Sequence, residues 1–275
     1  MSLFVQTNVA SMVVQNHLAR SQGALSSNFA RLSSGYRINA AADDAAGLGI
    51  SKSMNAQLRS LAVAQRNASD GVSMAQTADG AAEQVHELLI RLREVAVQGA
   101  NGALGAGDSA NLDTEFQASL SEIDRVARVT TFNGSNLLAG SAASVTFQVG
   151  IYNAPADRMT VPFGGVDVSG LALTGAAVDS VASARTAIGA VDAALTALAT
   201  RREGWGAAVN RLTGTVGTLD TMRANLAASL SRIQDADVAA ETAAMSRNQV
   251  LAQAGVSVLS QANQSPQLAL SLLRG

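Results

Sequence analysis

Between Val181 and Ile233, apolar side chains recur at alternating steps of three and four residues. One series runs Val181, Ile188, Leu195, Arg202, Val209, Val216, Arg223 and Leu230. The other runs Ala184, Val191, Leu198, Trp205, Leu212, Leu219, Leu226 and Ile233. That period predicts one unbroken amphipathic helix, interrupted in its first series by two arginines. About 55 residues at 1.5 Å each make it roughly 80 Å long, so it needs a partner of similar length. Leu48, Met54, Leu58, Leu61, Ala68, Val72, Ala75, Ala82, Val85, Leu89, Leu92 and Ala96 trace a matching stripe, which predicts a second long helix from Asp43 to about Gln98. The loop GANGALGAGD then breaks the pattern. Asp108 is placed to cap a shorter helix carrying Leu112, Phe116, Leu120, Ile123 and Val126 on one face.

The period changes to two between about Thr130 and Gly175. Val145, Phe147, Val149 and Ile151 alternate with small or polar residues, and Met159, Val161 and Phe163 do so again. Asn133-Gly134, Gly164-Gly165 and Pro162 supply turns and limit strand length. The expectation is a small β insertion at the tip of a helical rod, in which Phe147, Tyr152 and Phe163 serve as core or strand residues. Both chain ends return to a helical pattern, with Val5, Val9, Met12, Leu18, Leu25, Phe29 and Leu32 in front and Met245, Leu251, Ala254, Val258 and Leu259 behind. These ends carry too little apolar surface to offset the entropy of ordering them alone, so they call for neighbours. The fold class expected is mainly α: a long antiparallel helical bundle or coiled coil with a small β-hairpin insertion.

Composition sharpens this picture. The chain is 48% hydrophobic but only 3% aromatic, so its packing must come from alanine-spaced helix seams. Its formal net charge of −2, with arginines dispersed, gives no basic stripe, and no nucleic-acid partner is expected. Having no cysteine, it has no disulfide, thiolate or sulfur–metal chemistry. The N-terminal stretch lacks a basic leader followed by an apolar core, so no ordinary secretory signal is expected. The greasiest segment, VASARTAIGAVDAALTALAT, is broken by Arg185 and Asp192, and no membrane insertion is expected.

Candidate chemistry is sparse. In RINAAADDAAGLGI, Asp43 and Asp44 could share a proton only in a recess that forces them together. Adjacent helical residues instead diverge by about 100°, and aspartates at a helix start accept orphan N–H groups, so both are read as helix-starting caps. His86 and Glu87 open an HExxH pattern that lacks its second histidine, and His17 has no companion ligand; both histidines are read as solvated. The glycines of 99–107 follow no strand and precede no Gly-Lys-Ser/Thr, so they form a loop rather than a phosphate cradle. No GxSxG elbow occurs. The chain is therefore expected not to be an enzyme, with no catalytic, cofactor or metal site.

The order of elements, together with SSGYRINAAADDAAGLGIS at 33–51, LREVAVQGAN at 92–101, EIDRVARVTTFNG at 122–134 and the run SRIQDADVAAETAAMSRNQVLAQAGVSVLSQANQSPQLALSLLRG at 231–275, resembles bacterial flagellin. The resemblance implies a short form with two domains. Residues 1–40 and 235–275 would form the inner-tube domain D0 and its connector. The bundle domain D1 would take 41–129, the β-rich variable segment 130–178 and the long helix 179–234. It further implies export in an unfolded state through the flagellar type III channel and polymerisation outside the cell into a motility filament. The implied partners are other copies or sister flagellins, the flagellar cap, hook–filament junction proteins, an export chaperone and Toll-like receptor 5. Inner-tube assembly would fall to Val9, Leu18, Leu25, Phe29, Leu32, Leu251, Val258, Leu259 and Leu272. A subunit and receptor interface would use Arg91, Glu94, Val95, Gln98, Glu115 and Arg125, with Val95 standing where receptor-activating members usually carry leucine. The rival expectations are a hook–filament junction protein and a flagellin-like glycan-binding adhesin.

Overall fold

The computed structural model describes residues 7–140 and 144–274, the side chains of 265–274 excepted. It contains five helices, α1 (Val9–Ser34), α2 (Ala45–Gly99), α3 (Ala106–Val129), α4 (Val181–Gln234) and α5 (Val238–Arg274). Strands β1 (Thr131–Phe132) and β2 (Ser135–Asn136) pair with each other, as do β3 (Ser144–Gln148) and β4 (Arg158–Pro162). The chain divides into two compact units, Gln57–Ala224 and Met1–Ala56 with Asn225–Gly275. The division falls inside α2 and α4. The reason is the connector between α1 and α2. Arg37 donates from its backbone N–H to the Gln234 carbonyl at 2.7 Å and from its guanidinium to the Ile233 carbonyl at 2.6 Å. Ile38 is buried under the first turn of α2, where a Cβ at Gly47 would come 2.7 Å from its Cδ1.

In the Gln57–Ala224 unit, α2, α3 and α4 enclose one apolar core. All five apolar residues expected on α3 are buried. The helix starts earlier than expected: Asp108 sits in its first turn and accepts the Gly105 N–H from there at 3.3 Å. The buried seam of α4 is Ala184, Ala187, Val191, Ala194, Leu198, Trp205, Ala208, Leu212 and Leu219. It is the second of the two sequence series, joined by alanines three residues further on. The first series lies at the seam's margin, with Ile188, Leu195 and Val209 only partly buried. Alanine wins the central places because its small side chain lets helix backbones approach.

Polar rungs fix the antiparallel alignment of α2 and α4. Gln65 bonds Asp220 at 2.9 Å and accepts from Arg223 at 3.1 Å, and Arg93 donates to Asp192 at 2.7 Å. Arg202 donates to Asp79 at 2.7 Å and pairs with Glu83. The two arginines that interrupt the first series are thus cross-links between the helices. By length and composition α4 passes as a membrane span in spite of Arg185 and Asp192, but its seam is turned into the bundle core.

Asn133 and Gly134 both take positive φ, 49° and 78°, which makes the tight turn of the β1–β2 hairpin. The β3–β4 hairpin pairs Val145 with Val161 and Phe147 with Met159. It does not stand at the tip of the helices. Its apolar face lies on their flank, where Phe147 approaches Gly71 of α2 and Leu212 of α4 backs Val149 and Met159. Trp205 donates its indole N–H to the Pro162 carbonyl at 2.8 Å and stacks on Phe163, ring centroids 6.2 Å apart. A two-stranded hairpin cannot hide an apolar face by itself, so it takes cover on the nearest helix pair. Val149, Ile151 and Phe163 fall just outside the paired strands, and Tyr152, at 63% exposed, is neither core nor strand.

Candidate functional site

The terminal unit is built from α1 and α5, which run antiparallel and closely packed. Asn8 starts α1, accepting the Ser11 N–H at 3.1 Å, and its own amide reaches the Ala262 carbonyl at 2.9 Å. Asp237 starts α5 by accepting the N–H groups of Ala239 and Ala240. Gly35, at φ 73°, ends α1 in the left-handed conformation and lets its carbonyl accept from Ala236. The connector closes through Asp43, whose carboxylate accepts from the backbone of Asn39 and Ala40 at 3.1 and 3.0 Å and from Arg31 at 3.5 Å. Those bonds, the backbone ones first, hold its carboxyl below the usual range. Asp44 caps α2, accepting the Gly47 N–H at 2.8 Å, and its carbonyl accepts from Leu48. One acid of the pair therefore starts a helix and the other ties a loop.

This unit is inside-out. Ile38 is its only buried large hydrophobic residue among the described residues, whereas Ser11, Asn28 and Ser51 are buried. Among the described residues, seventeen large hydrophobic side chains are exposed, and eleven of them belong to it. Among the residues expected to assemble an inner tube, Val9, Phe29, Leu251 and Val258 point outward, with Val9 58% exposed. Leu18, Leu25, Leu32 and Leu259 are half-buried. Leu272 lies in α5, its side chain outside the described residues. Met12, Val13, Val250 and Val256 extend the exposed apolar surface; the last three were missed in the sequence, where a helical period does not say which of two faces meets a partner.

A second surface lies on α2 and α3. Arg91 donates to Glu115 at 2.6 and 2.9 Å and to Glu94 at 2.9 Å, and these bonds, Glu115 first, raise its pKa. The three side chains remain about half exposed, so the pairs contribute little on their own. Arg125 is engaged by Glu122 through two bonds of 2.6 and 2.7 Å rather than by the Arg91 cluster. Gln98 is exposed. Val95 is 1% exposed and belongs to the bundle core, so it does not stand on this surface, whereas Ile90 and Val97 of the same helix are exposed. His17 is exposed, but His86 is half-buried rather than solvated. No group of three metal-binding side chains occurs among the described residues.

Terminal helices that hide polar groups and present apolar ones, in a chain that also holds a well-filled helical bundle, are features of a structural subunit. Residues 5–143 match the bacterial flagellin N-terminal helical region and residues 188–273 the bacterial flagellin C-terminal helical region. The flagellin of Halalkalibacterium halodurans is 43% identical over 89% of this chain and 90% of its own length. Flagellin FlaB1 of Treponema pallidum is 36% identical over 99% of this chain and 100% of its own. In fold, the chain is similar to a putative flagellar hook-associated protein from Vibrio parahaemolyticus, with a TM-score of 0.58, 15% identity, and coverage of 70% of this chain and 100% of that one. The chain belongs to the bacterial flagellin family and is a subunit of the flagellar filament.

Proposed function

We propose that the chain is exported unfolded, emerges outside the cell and adds to the growing filament by covering the outward apolar face of α1 and α5 with the same helices of other copies. The inside-out terminal unit carries this reading. Exposed apolar surface of this extent on a small helical pair is stabilised by removal from water, and further copies supply the cover. The outward residues Val9, Phe29, Leu251 and Val258 would make inter-subunit contacts, while Leu18, Leu25, Leu32 and Leu259 support them from within. The role is structural, not catalytic. By the family resemblance, the flagellar cap, hook–filament junction proteins and an export chaperone handle the chain before and during assembly, and sister flagellins share the lattice with it only where their terminal faces match.

Nucleated assembly followed by electron microscopy tests the reading. The full chain is expected to form long tubes, and a chain lacking 241–275 is expected to stay soluble and helical without forming them. Leu251→Asp separates assembly from folding. At 51% exposed, Leu251 can be charged in the free chain at little cost, whereas an unpaired charge in a covered apolar contact costs several kcal/mol. Normal filaments from either variant would refute the terminal-helix mechanism.

The Arg91, Glu94, Gln98 and Glu115 surface is proposed to pack against neighbouring subunits, and in the free subunit to engage Toll-like receptor 5. Its half-exposed charges are available before assembly and gain strength when water is excluded. Arg91→Ala is expected to weaken both filament stability and receptor signalling in a reporter-cell titration. Silence from the full chain would remove the receptor part alone.

A further inference from the structure

The seam between α1 and α5 has a heptad spacing. On α1 it is Ser11, Val14, Leu18, Ser21, Leu25, Asn28 and Leu32; on α5 it is Glu241, Met245, Asn248, Ala252, Gly255, Leu259 and Ala262, all at least half-buried. Small and aliphatic residues dominate it, and such a seam has little to distinguish one alignment from another a heptad away. One cluster breaks the uniformity. Asn28, 7% exposed, donates from its amide to Glu241 Oε1 at 2.5 Å and accepts at its own oxygen from the Asn248 amide at 2.8 Å. Arg31 stands beside it, its guanidinium 3.9 Å from Glu241 and 3.5 Å from Asp43 of the connector.

We propose that Asn28, Asn248 and Glu241 are positioning residues that fix the register of the α1–α5 pair and thereby align the outward faces used in assembly. The inference rests on the reading that those faces meet other copies. A slip of one heptad would move α5 about 10 Å along α1. Asn28 would then meet Asn248 and Gly255 in the places now held by Glu241 and Asn248, or Gln234 and Glu241, so it would keep at most one of its two partners and leave the other buried without it. In the present register Asn8 is level with Ala262, which puts the exposed Val9, Met12 and Val13 at the same end of the pair as the exposed Val258. After a slip those apolar positions no longer share a level. Arg31 extends the device to the connector, so the alignment of the pair and the closure of the loop before α2 depend on one guanidinium.

The natural absence of cysteine makes the register directly readable. A Cβ at Gly255 lies 3.9 Å from the Leu18 Cβ, close to the mean disulfide spacing of about 3.8 Å. In an otherwise unchanged chain, Leu18→Cys/Gly255→Cys is expected to form the 18–255 disulfide under mild oxidation, in the free chain and in filaments. Leu18→Cys/Ala262→Cys, one heptad off, is expected to form little. Adding Asn28→Leu/Asn248→Leu to each pair should leave helix content by circular dichroism unchanged. The preference for 18–255 over 18–262 should then fall about tenfold, the worth of a buried hydrogen bond or two. Glu241→Gln keeps the acceptor for Asn28 and should retain the preference. A double-leucine chain that still forms 18–255 alone would overturn the proposal, as would loss of the preference in Glu241→Gln. If the unsubstituted chain with 18–255 cysteines assembles into tubes and the leucine variants keep its register, the register claim falls while the filament reading stands.

Discussion

Asp43 and Asp44 are neighbours in sequence with separate duties, and each has its own test. Asp44→Ala removes the N-cap of α2 and is expected to cost about 0.5–2 kcal/mol, read as faster amide exchange in the first turns from Ala45. Asp43→Asn leaves that cap intact and acts on the connector. The folded state keeps Asp43 ionised to lower pH than the unfolded chain does. Its contribution is therefore complete above the ordinary carboxylate range and is lost as pH falls through the lowered value. The Asn39 and Ala40 amide resonances should report that titration, and Asp43→Asn should abolish it. Sequence revealed an acid pair at a helix start; it could not reveal that the backbone of Asn39 and Ala40 turns back onto one of the two. Val95 marks the same limit. Its neighbours Glu94 and Gln98 face water, yet Val95 is core, so Val95→Leu is expected to overpack the bundle and destabilise it by about 1–3 kcal/mol in urea unfolding. Any change it makes to receptor signalling would pass through packing, not contact.

Among the elements, α4 was the most legible, expected from Val181 to Ile233 and observed from Val181 to Gln234. A three-and-four spacing is strong evidence for a long helix. It is weaker evidence for which stripe is central, because Ala187, Ala194 and Ala208 carry almost no hydrophobic signal while occupying the closest approach. Leu195 and Leu198 separate the two series. Leu198→Ala, at a fully buried position, is expected to cost about 2–5 kcal/mol, and Leu195→Ala less than half of that, by urea unfolding midpoints. The β segment was legible as alternation and turns, and Asn133-Gly134 formed the turn its residue types demand. Its position on the flank was not legible, since it depends on Gly71 and Leu212, which are far from the hairpin in sequence.

For the whole chain, the family was carried by motifs at both ends, while the two compact units were not visible because α2 and α4 run unbroken through their borders. The units differ in how they are held. The bundle is held by fully buried apolar side chains, and the terminal unit by a half-buried seam, polar contacts and Ile38. Limited trypsin should therefore cut the free subunit first near Arg20, Arg31, Arg37 or Arg247, and only later at Arg91 or Arg125. Early cleavage at Arg91 would contradict that order. The apolar face turned outward by α1 and α5 also sets how assembly responds to temperature. Removing such surface from water is driven by entropy near 25 °C and weakens on cooling. Subunit addition should accordingly show a negative heat-capacity change, and its critical concentration should rise as the solution is chilled.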